Sequence, residues 1–497
     1  MTRFSVWAPD APTMRVRVAG TDHPMTLQDA GWWRVEVDCA THGADYSYLL
    51  GDSEDALPDP RSRWQPHGVH GPSRTYDHAA FRWTDGDWAG RELTGGVVYA
   101  MHVGAFTPEG TFDAAIDKLD HLTALGVDAV ELRPVNVERG PLHYTACWYT
   151  PHPTYGGPDG LKRFVDACHA RGIAVVLDLH YDHVEASSPR LGPYLADVVN
   201  TWGHTLALDG PHADGIRSFI VDNVSMWLRD YHADGIRLDA AHTLIDRQAM
   251  RLLEELTIQV ETMSARLGRP LSLIAGSDRV GARLITPRSA PGDLAALWEP
   301  EDPLDRSYRA EFGTLEQLFT ILRQRYSDVG GTDRPLTALS PGMLRLGATL
   351  LMTAPSTPVI QMGEEWAARP PGETGAHWPA HEARALSSLD WSELDKREHS
   401  DMFDLYRRLI AMRRAHPDLS QPMLRRSDVW HGASFLAIRR GRSVVVTNLR
   451  RTPQRVNLHG TARSVLVATE PGLALVHDSA DLPGESAAVV SCARFDR

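Results

Sequence analysis

The stretch AVVLDLHYDH (174–183) decides the fold. It opens on Ala174, Val175, Val176 and Leu177, apolar on both faces, and closes on Asp178, His180, Asp182 and His183. A strand buried on both faces belongs to a parallel sheet covered by helices, and polar residues gathered at its carboxyl end mark the edge where α/β proteins place ligands. Working outward, helix LKRFVDACHARG (161–172) precedes it, and a helix over about 216–232 leads to a second such strand, GIRLDA (235–240). The unit recurs on both sides. Strands VVYAMHV (97–103) and AVELRPV (129–135) flank a helical pattern over 111–126, and a helix over about 246–267 leads to LSLIAGSD (271–278). This alternation fits a closed barrel or a doubly wound sheet. No G-x-G-x-x-G or P-loop follows any strand, which favours the barrel.

The flanks read differently. Short alternating runs such as RVRVAG (15–20) and WWRVEVD (32–38) predict an N-terminal β-sandwich over 1–90, resembling a carbohydrate-binding module. SFLAIRR (434–440) and SVVVTNL (443–449) predict a small C-terminal β-domain over 416–497, leaving 91–415 for the barrel. A chain of 497 residues with 42% apolar and 23% charged residues has ample material for several cores. Its net charge of −13, with no long basic run, argues against nucleic acid and anionic lipid as partners. MTRFSVWAPD (1–10) has no basic-then-apolar leader pattern, and no apolar run reaches the roughly 18 residues of a membrane span. A cytoplasmic setting is expected. Cys39, Cys147, Cys168 and Cys492 lie far apart and predict buried free thiols. Fourteen tryptophans agree with a sugar site but do not specify one.

Period-two alternation puts Asp178, His180 and Asp182 on one side of their strand, and Arg237 and Asp239 on one side of the next, with His242 just beyond. An inward arginine favours the anionic form of a neighbouring carboxylate, the form a nucleophile needs. Asp239 with Arg237 is therefore the leading catalytic pair, against the plainer alternative of an ion pair that fills the barrel. His180, Asp182 and His183 could hold a metal, but their spacing matches no metal motif, so neither metal nor other cofactor is expected.

Read together, DPRSRWQPHGVHGPSR (59–74), VYAMHVGAFTPEGTFDAAIDKLDHLTALGVDAVELRPV (98–135), YGGPDGLKRFVDACHARGIAVVLDLHYDH (155–183), MWLRDYHADGIRLDAAH (226–242) and SPGMLRLGATLLMTAPSTPVIQMGEEW (340–366) resemble glycoside hydrolase family 13, and within it the trehalohydrolase branch. The resemblance implies a catalytic TIM-type (β/α) barrel between two β-domains and retaining cleavage of α-glucosidic bonds by three acids. It puts Asp239 on the nucleophile, Arg237 on its partner and His183 on a histidine that touches the sugar. Tyr99, His102, His143, Tyr144, His242 and Trp298 are the remaining expected contacts to a sugar or polyol ligand.

The departures fall on the reacting face. The family's strand-five motif Ile-Ala-Glu-Ser-Asp reads Ile274, Ala275, Gly276, Ser277, Asp278 here, which removes the proton donor and leaves Asp278 as its nearest substitute. The Asn-His-Asp stretch of strand seven has no counterpart, because FGTLEQLFTILRQRY (312–326) has helical spacing and runs through SDVGGTDRPLTAL into SPGML. A barrel disrupted around strand seven is expected. His143-Tyr144-Thr145 stands for Gly-Tyr-Asp, Ala100 for a glutamate, Asp182 for an asparagine, and His180 for an apolar residue. General-acid catalysis is worth roughly 10²- to 10⁴-fold, so these losses predict a sugar-binding pseudo-glycosidase, or rerouted chemistry at the barrel face with His180, Asp182, His183, Asp239, His242 and Asp278 as acid/base groups. An active α-glucoside hydrolase with Asp239 as nucleophile is the alternative. A protein partner that supplies missing groups is left open.

Overall fold

Strand Ala174–His180 pairs in parallel with Gly235–Asp239, and that strand with Ser272–Ala275. The register sets Asp178 opposite Arg237 and His180 opposite Asp239, so two neighbouring strands present their polar ends side by side. Residues 174–177 are fully buried, and each buried Val or Leu contributes roughly 1.5–3 kcal/mol. Helix Gly157–His169 leads into the first of these strands and helix Ala213–Asp230 into the second. Tyr181, on the opposite parity, turns away from the polar side and donates its hydroxyl to Asn223 Oδ1 of the latter helix at 2.5 Å.

The computed structural model describes residues 2–38, 40–139, 144–181, 197–200, 203–206, 208–210, 212–239, 241, 244, 246, 248, 250–275, 312–314, 340–354, 357–368, 388–420, 427–432 and 434–495. They form two units. One comprises Met1–Arg91, His102–Lys118 and Glu131–Ile285; the other comprises Glu92–Met101, Leu119–Val130 and Thr286–Arg497.

In the first unit, the N-terminal segment builds two antiparallel sheets. Thr2–Trp7, Trp32–Val37 and Thr26–Leu27 form one; Thr21–Pro24, Met14–Val18, Asp45–Leu50 and Ser73–Arg74 form the other. Phe4, Val6, Val16, Trp33 and Tyr48 fill the space they enclose, as the alternation predicts. Trp7 lies so close on helix Ala213–Asp230 that a Cβ on Gly215 would meet its ring at 2.2 Å, so only glycine fits there.

In the second unit, Val98–Met101 pairs in parallel with Thr357–Gln361, which pairs in parallel with Phe312–Thr314. Where spacing predicts a helix over 312–326, the first three residues thus form a strand. Gly313 and the β-branched Thr314 are poor helix formers, and the open edge of Thr357–Gln361 supplies backbone partners. The predicted helix over 111–126 is likewise two shorter ones, Phe112–Ile116 in the first unit and Leu119–Leu125 in the second. Ser427–His431, Phe435–Arg440, Ser443–Asn448, Ser486–Phe495 and Gly460–Ala468 build a five-stranded antiparallel sheet in that order, over a core of Ala437, Val444, Val446, Val456, Leu482 and Val490. Among the described residues no helix is long and apolar enough to cross a membrane.

Candidate active site

Asp239 closes its strand with its side chain about one-third exposed, the solvent access a nucleophile requires. Arg237, two residues earlier on the same face, approaches Asp239 Oδ1 with Nη2 at 2.8 Å and donates from Nη1 to Asp178 Oδ1 at 2.6 Å. One guanidinium thus bridges two carboxylates on adjacent strands, a geometry that its rigid fork favours. His180 completes the face, with Nε2 3.7 Å from Asp178 Oδ2 and Nδ1 3.8 Å from Asp239 Oδ2.

Two further groups stand behind Asp178. Arg133 Nη1 lies 3.9 Å from Asp178 Oδ2, and its Nε lies 3.8 Å from Oε1 of the buried Glu131. Burial works to raise the Asp178 carboxyl, but the charge of Arg237, with His180 and Arg133, outweighs it and holds the group well below the usual range. Glu131 shifts the other way: burial raises it, Asp178 and Asp239 push in the same direction, and Arg237 and Arg133 only partly oppose. Burial also works against the Arg237 charge, but Asp178, Glu131 and Asp239 together raise its affinity for its proton. The face therefore combines a firmly ionised carboxylate, a carboxyl biased toward its neutral form and a permanent cation.

Arg237, Asp239 and His180 come together as the alternation requires. Asp182, His183, His242, Asp278, His143 and Trp298 lie outside the described residues, as does Gly276. Tyr144 begins strand Tyr144–Pro151. His102 is half-buried at the start of helix Val103–Phe106, with Nε2 3.4 Å from the Tyr155 hydroxyl. Tyr99, expected to touch sugar, is fully buried: its hydroxyl donates to Glu365 Oε1 at 2.9 Å and accepts from Gly363 N at 3.2 Å. The reason is that all four residues of Val98–Met101 are buried, so its alternation has no open side. Glu131 and Arg133 escaped the reading of the sequence, although E-x-R (131–133) has the same two-residue spacing as R-x-D (237–239).

Residues 76–189 match the alpha amylase catalytic domain family. A protein from Salmonella typhimurium assigned by name to the α-amylases, solved at 1.4 Å, superposes with a TM-score of 0.79 at 25% identity over 98% of this chain and 97% of its own. The pullulanase of Anoxybacillus sp. LM18-11 complexed with maltotetraose shares the fold, with a TM-score of 0.75 at 17% identity over 99% of this chain and 86% of its own. Fold and site together define an α-amylase-type (β/α) barrel with flanking β-rich domains.

Relatives narrow the class. The malto-oligosyltrehalose trehalohydrolase of Arthrobacter ramosus is 38% identical over 98% of this chain and 99% of its own, and that of Rhizobium sp. (strain M-11) is 36% identical over 98% and 97%. The chain belongs to the malto-oligosyltrehalose trehalohydrolase family. The expectation of a pseudo-glycosidase or of rerouted chemistry is thereby corrected, since relatives at 34–38% identity over nearly the whole chain are hydrolases by name. That expectation rested on motifs absent at aligned positions. The physical flaw is that a missing residue at one position does not say which other carboxyl group reaches the same space.

Proposed function

We propose that this chain hydrolyses maltooligosyl trehalose at an α-glucosidic bond and releases trehalose, with Asp239 as the nucleophile. The observation that carries the reading is the Asp239 carboxylate at a strand's carboxyl end, one oxygen fixed by Arg237 at 2.8 Å and the side chain open to solvent. Asp239 attacks the anomeric carbon while an acid protonates the departing glycosidic oxygen. Water then cleaves the glycosyl ester with that same residue as base, so the anomeric configuration is retained. Asp278 is the acid in this reading, on sequence alone: it lies two residues beyond Gly276 and shares its parity.

Asp178 holds the other side of Arg237 and keeps the guanidinium from turning away from Asp239. His183, His242, Asp182, His143, Tyr144, His102 and Trp298 are proposed to line the sugar path; Tyr99 is not, because it is buried. A cytoplasmic setting belongs to the same reading, and the buried free thiols of Cys168 and Cys492 support it.

The test is incubation of purified protein with maltooligosyl trehalose and chromatography of the products, beside D239N and D278N. Trehalose release that fails in both variants is the expected result. No release by the unaltered protein at any pH between 4 and 9 would overturn the proposal, and release that survives in D278N would move the acid to another residue.

A further inference from the structure

Asp178 and His180 on one strand face Arg237 and Asp239 on the next, so four side chains form a square on one face of the sheet. Three of its members are two carboxylates and a guanidinium. The fourth, His180, is about one-quarter exposed and stands within 3.8 Å of a carboxylate oxygen on either side. Histidine is the side chain whose ordinary titration falls between pH 5 and 8. Its protonation adds one positive charge to the square.

The Asp239 carboxylate is bracketed. Arg237 holds Oδ1 at 2.8 Å, whereas Oδ2 has His180 at the longer distance of 3.8 Å and is the oxygen better placed to attack. Attack converts Asp239 from an anion into an ester. A cation beside Oδ2 stabilises the anion more than the ester and therefore slows the step. We propose that His180 is a positioning residue that couples the attack to pH: its neutral imidazole flanks Oδ2 and leaves it to the sugar, and its imidazolium ties Oδ2 to itself and to Asp178 and stops the reaction. This rests on the reading of Asp239 as nucleophile.

Among the described residues, the charged and titratable groups around His180 are Asp178 on its own strand, Arg237 and Asp239 on the neighbouring strand, and Glu131 with Arg133 behind Asp178. Arg237 is a permanent cation and Asp178 is held ionised; Glu131, raised by burial, stands behind Asp178, so His180 is the titratable group that lies against Asp239 Oδ2. The proton comes from solvent, and His180 transfers nothing to the sugar.

Two measurements test the proposal. The first is kcat/KM on maltooligosyl trehalose against pH for the unaltered protein, H180V and H180N, with folding checked by circular dichroism. The unaltered protein should lose activity tenfold per pH unit below a midpoint in the imidazole range, and both variants should move that limb at least one unit lower. A limb that stays in place in a folded variant overturns the proposal. The second needs no activity: the His180 ring proton is titrated by NMR in the unaltered protein and in D239N. Loss of the Asp239 charge should lower its midpoint by at least half a unit, and an unchanged midpoint overturns the coupling. If the unaltered protein cleaves nothing, the hydrolase reading fails while the titration still decides whether His180 senses Asp239.

Discussion

Strand Gly235–Asp239 carries an aspartate at each end, and the two could hardly be treated more differently. Asp234, just before the strand, is completely buried and has every lone pair in use. It accepts from Trp88 Nε1 at 2.8 Å and Val175 N at 2.9 Å, meets His169 Nε2 at 2.9 Å and is paired with Arg269. Asp239 at the other end is one-third exposed, with one short contact to Arg237 and one long approach from His180. The residue type is the same, and so is the availability of basic neighbours. Saturation distinguishes them: a carboxylate whose oxygens are all engaged can only hold the fold, whereas one with an oxygen to spare can react.

The largest expected effect comes from exchanging these roles. Asp239→Asn should lower kcat/KM by on the order of 10⁴-fold or more, as removal of a covalent nucleophile does, while leaving the melting temperature within a few degrees. Asp234→Asn should do the reverse. Leaving Arg269 without its buried counter-charge, and His169 with Asp85 alone, should cost about 3–5 kcal/mol in denaturant unfolding, and the protein that remains folded should keep kcat/KM within about tenfold. If D234N lost activity without losing stability, the division between a structural end and a reacting end of the strand would collapse.

The structural end also has its own pH signature. His169 is gripped by two carboxylates, with Nδ1 2.8 Å from Asp85 Oδ2 and Nε2 2.9 Å from Asp234 Oδ2, and Trp88 stacks on its ring at 4.6 Å. Burial disfavours the charged ring, but the hydrogen bonds to Asp234 and Asp85 outweigh it and raise His169 above its ordinary value. Burial likewise works to raise Asp85, and His169 with His232 prevails and lowers it. A raised histidine stabilises fully below its unfolded value of about 6.5, and that stability fades as pH rises through the folded value. A lowered aspartate stabilises fully above about 3.9 and loses that contribution as pH falls. Both contribute fully between these limits. Urea unfolding of the unaltered protein and H169Q from pH 5 to 9 should therefore show a stability gap that is widest near pH 5–6 and narrows by at least about 1 kcal/mol toward pH 9. A gap independent of pH would mean that the His169 ring is neutral in the fold.

What the sequence disclosed follows the same line of saturation and spacing. Strands 174–180 and 235–239 were legible because apolar runs ending in alternating polar residues have one sensible placement, and with them came Arg237, Asp239 and His180 on one face. Glu131 was hidden because it sits among Ala129, Val130 and Leu132, where an apolar run masks a single acid. Tyr99 was expected as a sugar contact from the family resemblance alone, and that expectation carried no information on a strand whose four residues are all buried. Phe312–Thr314 misled because a three-residue strand leaves too little pattern to compete with the helical spacing of Leu315, Leu318, Phe319 and Leu322. The pseudo-glycosidase expectation failed because a motif missing at one position says nothing of the rest of the chain, nearly all of which is shared with relatives that are hydrolases by name.

Glu131 offers the finest division between the two ends, since it is buried like Asp234 yet belongs to the reacting face. Its nearest cation, Arg133, is 3.8 Å away, too long for a hydrogen bond, and burial together with Asp178 and Asp239 biases its carboxyl toward the neutral form. Glutamine keeps the shape of the protonated acid, so Glu131→Gln should not destabilise the fold at pH 7, unlike the breaking of a buried ion pair. The sign with pH follows from the raised value: Glu131 stabilises the fold most at low pH, below its unfolded value of about 4.3, and gives up that contribution as pH rises toward its folded value. E131Q should accordingly match the unaltered protein near pH 5 and equal or exceed it near pH 8, with kcat/KM reduced less than about tenfold. A loss above about 3 kcal/mol at pH 7 would instead make Glu131 an ionised partner of Arg133, and the reacting face would then hold three fixed anions around Arg237.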